Sequence, residues 1–261
     1  MTDSLLVSIQ DAVATLTFNR PAVMNAMDLD MTARLKKTTE SLCDDTSIRA
    51  VVLRGAGNAF MAGGDVALFH SHLEDLPHLI VAMAREFHYV IMALRRMGKP
   101  VLASAHGSVA GAGVSLLAAA DLAIAAEGTK FTLAYSNIGA SPDGGSTYFL
   151  PRLLGSRKAM EMALLPDAFD AQSALSAGLI NWVAPREELE ARTQKIAQRL
   201  AQGPTIAFAR TKALFNQSFA ATLESQLEAE AQAFALCARS ADLREGIAAF
   251  VEKRKPRFSG L

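Results

Sequence analysis

The chain has 261 residues, 51% of them hydrophobic, enough to bury a large core in one large domain or two smaller ones. Twenty-six basic residues balance 26 acidic ones, so no overall positive field draws nucleic acid or an acidic membrane surface, and any anion site must be local. Cys43 and Cys237 lack metal-ligand spacing, and Met1-Thr2-Asp3-Ser4 lacks the basic region of a signal peptide, which predicts a soluble, cytoplasmic protein. The longest apolar stretch, Val109 to Ala126, is interrupted by Gly111, Gly113 and Asp121 and does not read as a membrane span.

Short β-rich runs alternate with helical patterns, which predicts an α/β protein. Strands are expected at Leu5 to Ile9 and Val13 to Phe18, then a helix over Asp28 to Asp44 with Leu29, Leu35 and Leu42 on roughly one side. A strand at Ala50 to Arg54 runs into the glycine-rich turn Gly55 to Asp65, and a long helix over Leu76 to Met97 stops before Gly98-Lys99-Pro100. The pattern repeats with a strand at Pro100 to Ala105, a second glycine-rich loop from His106 to Ser115, and strands at Leu122 to Ala125 and Ile180 to Val183. From about Arg186, strand signals vanish and helices are expected near 186–202, 204–218, 222–239 and 242–254. The shift divides the chain into a core, residues 1–200, and a C-terminal helical region, residues 201–261.

The glycine-rich loops carry the chemistry. In the first, small residues at Ala62, Gly63 and Gly64 let a ligand approach the main chain, and Asp65 is placed to cap the next helix. The second follows a strand and opens a helix. Side by side, the two could each offer a main-chain N–H to one oxygen, which stabilises an oxyanion or enolate without a charged side chain. Gly111-Ala112-Gly113-Val114-Ser115-Leu116 is not a dinucleotide fingerprint, because Leu116 replaces the third glycine and Asp121 comes too early. Neither loop has the Lys-Ser or Lys-Thr of a phosphate loop, and no Gly-x-Ser-x-Gly surrounds Ser115 or Ser146. The turn Ser141-Pro142-Asp143-Gly144-Gly145-Ser146-Thr147 then presents one acid, Asp143, either as an acid/base or as an ordinary cap of the following helix.

Asn19-Arg20-Pro21 through Asn25-Ala26-Met27, Ala62-Gly63-Gly64-Asp65, Gly111-Ala112-Gly113 and Glu245 to Arg254 occur in an order that resembles the enoyl-CoA hydratase/isomerase, or crotonase, superfamily. The resemblance spans essentially the whole chain. It implies a ClpP-like spiral of ββα units, a C-terminal helical trimerisation region, and trimers that often pair into hexamers. It implies no permanently bound cofactor or metal; coenzyme A arrives as the carrier of an acyl thioester. By position, the main-chain N–H groups of Gly64 and Ala112 would hold the thioester oxygen. Ala22, Met24, Ala62, Gly63, Gly64 and Asp65 would meet the coenzyme A moiety, with Phe250 and Lys253 reaching the adenine and phosphates bound to a neighbouring subunit.

Hydratases of this superfamily present two glutamates where this chain has Ser115 and Tyr135. Neither is an effective base near neutral pH, since a free phenol loses its proton only near pH ~10. Asp143, in a Pro-Asp-Gly-Gly turn, resembles the acid/base of the ring-epoxide and enoyl-CoA isomerases of phenylacetate breakdown. The resemblance therefore implies an enoyl-CoA double-bond isomerase using Asp143, with Ser115 and Tyr135 lining the site. Two alternatives stay open: a hydratase in which Asp143 activates water, and an acyl-CoA-binding subunit without catalysis. His70, His72, His78 and His88 lack a carboxylate or Cys at ligand spacing and are expected at solvent or in a site wall, while His106 is expected to serve its turn.

Overall fold

The computed structural model describes residues 3–261. Strands β1 (Leu5–Gln10) and β2 (Val13–Phe18) form an antiparallel hairpin whose two turn residues, Asp11 and Ala12, both take positive φ, at 49° and 62°. That turn matches the right-handed twist of the strands it joins. Successive units then split their strands between two sheets: β3 (Ala50–Gly55) with β4 (Ala59–Met61), β5 (Val101–Ala105) with β6 (Ser108–Ala110), and β7 (Leu122–Ala126) with β8 (Lys130–Thr132). Strands β9 (Phe169–Asp170) and β10 (Trp182–Ala184) complete a six-stranded sheet, ordered β1-β2-β3-β5-β7-β10, and a four-stranded one, β4-β6-β8-β9.

The helices between the strands are α1 (Leu29–Asp44), α2 (Val66–Ser71), α3 (Leu76–Arg96), α4 (Ala112–Ala119), α5 (Ser146–Leu154), α6 (Ser156–Leu164) and α7 (Ala171–Ala177). Helices α8 (Leu189–Ala201), α9 (Thr205–Ser218), α10 (Leu223–Cys237) and α11 (Ala241–Val251) follow. This is the α/β spiral of ββα units with a C-terminal helical region that the sequence suggested.

Alternation along the central strands sets the layers. Val51 and Leu53 of β3 enter the main core with Leu16, Phe18, Val101, Ala103 and Phe60, whereas Ala50 and Val52 face a second cluster with Leu102, Ile124 and the α8 residues Leu189, Ala197 and Ala201. Strands covered on both faces need apolar residues at nearly every position, which is why they read as continuous hydrophobic runs.

Several boundaries differ from the sequence expectation. The strand expected at Ile180 to Val183 is Trp182–Ala184, because the Asn181 side chain takes the Ala123 N–H at 2.8 Å and the regular ladder starts one residue later. The helix expected from 186 opens as a 3₁₀ turn over Arg186–Glu188 before α8 begins. The last helix stops at Val251, where Lys253 turns left-handed at φ 54° and Arg254 N–H closes onto Ala249 O at 3.0 Å. Strands β4, β6, β8 and β9 and helices α6 and α7 were not among the expected elements.

A buried ion cluster ties α3 and α9 to the start of β5. Asp121 accepts from Lys212 Nζ at 2.7 Å, Arg95 at 3.2 Å and the Val101 N–H at 2.8 Å, and the Lys212 side chain is only 8% exposed. Burial lowers the Lys212 pKa, and Asp121 opposes that shift. Asp121→Ala leaves a buried ammonium without its counter-charge and is expected to destabilise the fold by about 3–5 kcal/mol, read as a lower melting temperature. No helix among the described residues is long and apolar enough to cross a membrane.

Candidate active site

Three segments converge at the C-terminal side of β3–β4 and β5–β6. The first is positioned by Asn25, fully buried at a left-handed φ of 59°, whose Nδ2 donates to Ala59 O at 2.8 Å and Ala56 O at 2.9 Å. Met24 O then accepts the Ala62 N–H at 3.0 Å, Met27 N–H donates to Gly63 O at 2.7 Å, and Asp65 N–H donates to Met27 O at 2.9 Å. Ala22 and Met24 stay exposed on that segment. Asp65 caps α2 through the Ala67 and Leu68 N–H groups and receives Arg20 at 2.9 Å, so its carboxylate is fully engaged in holding the loop.

The second loop lies directly against the first. Gly63 has φ 100° and Gly111 φ 50°, and a Cβ built on Gly63 would stand 3.4 Å from Ala112 N and 3.5 Å from Gly111 Cα. Only glycine allows both the torsions and the approach. The N–H groups of Gly64 and Ala112 have no hydrogen-bond partner among the described residues. Ala112 opens α4, where the first N–H groups of a helix lack intrahelical acceptors and carry partial positive charge. Two free N–H donors on abutting loops suit an oxygen that gains negative charge.

The third segment carries Asp143. Its Oδ1 accepts from Tyr135 Oη at 2.5 Å, and its main-chain carbonyl accepts from Ser115 Oγ at 2.8 Å and Ser146 Oγ at 2.9 Å. Helix α5 is capped by Gly145 with no side-chain bond, so Asp143 is not that helix's cap. Its side chain is 36% exposed, so the carboxylate is reached by solvent rather than enclosed by apolar side chains. Phe131 stacks on Phe169 in the core, and Ile138 faces solvent. Tyr135 sits beside Gly111, where a Cβ would meet its ring at 3.9 Å. Burial, together with the Asp143 carboxylate, pushes the Tyr135 phenol far above its ordinary pKa. It therefore donates and keeps its proton.

Ser115 and Tyr135 thus serve Asp143 directly, one through the main chain and one through the carboxylate. Tyr135→Phe removes a hydrogen bond to a charged group, worth about 1.5–3 kcal/mol, and is expected to lower kcat about 10- to 100-fold in a steady-state assay while the protein still folds.

His88, expected at solvent or in a site wall, lies beside Asp143. On α3, its Nε2 accepts the Gly144 N–H at 3.2 Å and lies 3.9 Å from Asp143 Oδ2. No local signal marks it; the contact exists because α3 packs over the 143–145 turn, where a Cβ on Gly144 would strike Phe87 at 2.4 Å. His106 Nε2 pairs with Gly57 O at 2.9 Å, the turn role expected of it, and burial lowers its pKa. Phe250 and Lys253 are solvent-facing at the end of α11, Phe250 86% exposed. Among the described residues no three His, Cys, Asp or Glu side chains gather to hold a metal.

Residues 8–260 match the family described as Enoyl-CoA hydratase/isomerase. The chain is 36% identical over 263 residues to a 1,2-epoxyphenylacetyl-CoA isomerase of Escherichia coli (strain K12), covering 100% of both chains. It is 32% identical over 261 residues to a crotonyl-CoA hydratase of Syntrophomonas wolfei, covering 98% of each. Its structure superposes on that of an enoyl-CoA hydratase from Polaromonas sp. JS666 with a TM-score of 0.93 at 31% identity, covering 97% of this chain and 99% of the other. With abutting glycine loops, free N–H donors and full-length matches of this kind, the chain belongs to the enoyl-CoA hydratase/isomerase family.

Proposed function

We propose that the protein is an enoyl-CoA double-bond isomerase in which Asp143 moves a proton from Cα to Cγ of a 3-enoyl thioester, and the N–H groups of Gly64 and Ala112 hold the dienolate oxygen between the two transfers. The observation that carries this reading is the state of Ser115 and Tyr135. By resemblance they stand where hydratases place two glutamates, yet each spends its hydroxyl proton on Asp143. One carboxylate is thus available, and a 1,3-proton transfer needs one.

The energetics favour that division of labour. A well-aimed N–H donor lowers the barrier by about 3–4 kcal/mol, and a positioned base contributes about 10²–10⁴-fold. Tyr135 fixes Oδ1, leaving Oδ2 as the oxygen that meets the substrate. In this reading, residues 1–200 form the acyl-CoA core. Residues 201–261, with exposed Phe215, Phe219, Phe234 and Phe250, form the arm through which protomers assemble as a trimer or a dimer of trimers. Phe250 and Lys253 then close the coenzyme A pocket of a neighbour, and the enzyme works in the cytoplasm.

A 3-enoyl-CoA mixed with the pure protein is expected to give the conjugated 2-enoyl thioester, followed by absorbance, with no hydrated product by mass. Accumulation of a 3-hydroxyacyl-CoA would favour the hydratase alternative, in which Asp143 activates water. Thermal stabilisation by the thioester without turnover would favour an acyl-CoA-binding subunit.

A further inference from the structure

His88 is a titratable side chain beside Asp143 that the proposed reaction leaves unused. Its Nε2 accepts from the Gly144 N–H at 3.2 Å. A main-chain N–H can only donate, so this nitrogen is bare and the proton of the neutral ring sits on Nδ1. The same Nε2 is 3.9 Å from Asp143 Oδ2. The other carboxylate oxygen is closed to proton traffic, because Tyr135 donates to Oδ1 and holds its proton. The outer side of the His88 ring is open: the side chain is 47% exposed and lines a cavity of about 570 Å³ with Met92, Arg96, Tyr148 and Asn216. The charged groups around the ring are the Asp143 carboxylate and, in the cavity, Arg95 and Arg96, the former engaged by Asp121 and Asn216.

We propose, resting on the isomerase reading above, that His88 relays protons between Asp143 and solvent, so that the hydrogen delivered to Cγ comes from water rather than from Cα of the same substrate molecule. Asp143 Oδ2 takes the Cα proton as the C–H electron pair enters the dienolate. Oδ2–H passes that proton to Nε2, the long Gly144 bond being given up, and the half-exposed imidazolium so formed loses the same Nε2 proton to water. Nε2 then takes a proton from solvent and hands it to Oδ2, which delivers it to Cγ. Carboxylate and imidazole end as they began, and no other reactant is consumed.

The test runs wild type and His88→Gln with a 3-enoyl-CoA in D₂O to low conversion, with the label in the 2-enoyl product read by mass. Glutamine keeps an acceptor for the Gly144 N–H but cannot carry the proton, and at an exposed position it does not threaten folding. The expected result is deuterium in most of the wild-type product and in a small minority of the variant's, whose conjugation continues by direct return of the substrate's own proton. An equal deuterated fraction in the two proteins would overturn the relay while leaving Asp143 as the base. Absence of conjugation by the wild type would overturn the isomerase reading, and the relay with it. A 3-hydroxyacyl product lost in the variant would assign His88 to water activation instead and overturn the relay.

Discussion

Asp143→Asn is expected to lower kcat for conjugation of a 3-enoyl-CoA by about 10²–10⁴-fold, the usual contribution of a positioned base, with thioester affinity and melting temperature little changed. Asparagine has the same shape and can still accept from Tyr135, whose bond to Oδ1 spans 2.5 Å. The Ser115 and Ser146 bonds go to the main-chain carbonyl and survive the change. What disappears is an oxygen able to take a proton from carbon. A fall in kcat without a rise in KM marks an interaction made in the transition state rather than in binding. A variant that lost affinity instead would show Asp143 to be a binding residue.

The other large effect concerns the N–H donors. Any side chain at Gly113 would place Cβ 2.4 Å from Met61 O and 3.1 Å from Met61 Cβ. A main-chain oxygen in a buried strand cannot yield, so Gly113→Val must lift the start of α4 away from β4 and carry the Ala112 N–H with it. Overpacking of this kind costs about 1–3 kcal/mol of stability. Misplacing one oxyanion donor costs about 10²–10³ in kcat. Both losses are expected together in denaturant melts and steady-state kinetics. Gly98→Ala, whose Cβ would meet only Ala209 at an ordinary 3.5 Å, is the control expected to leave both unchanged. Wild-type kcat in Gly113→Val would remove the Ala112 N–H from the account.

What the sequence reveals and what it hides follow from the range of the interactions. Strand β2, helix α1 and the long helix α3 were legible because a 2- or 3.6-residue period persists over six residues or more, and β1 because Leu5 to Ile9 is a short run rich in β-formers. Strands β4, β6, β8 and β9 have two or three residues each, too few to show a period, and they pair with partners far along the chain. The Asp65 cap was legible because capping is local. The same local rule misleads at Asp143, where Gly145 opens the helix and the carboxylate turns to Tyr135 instead. Asn25 was visible as part of a motif, but its reach to three carbonyls across β3 and β4 depends on tertiary packing. His88 shows the limit most plainly. On α3 it is one more helix residue, and its nearness to Asp143 arises only when that helix lies across the 143–145 turn.

The most direct test of a single-carboxylate proton transfer is the rate of 2-enoyl thioester formation by the wild-type enzyme from a 3-enoyl-CoA carrying two deuterium atoms at Cα, beside the unlabelled substrate. Slower conjugation of the labelled substrate and a product with no added water are expected, since breaking the Cα–H bond is the first chemical step. Formation of a 3-hydroxyacyl thioester, at the same rate from both substrates, would contradict it.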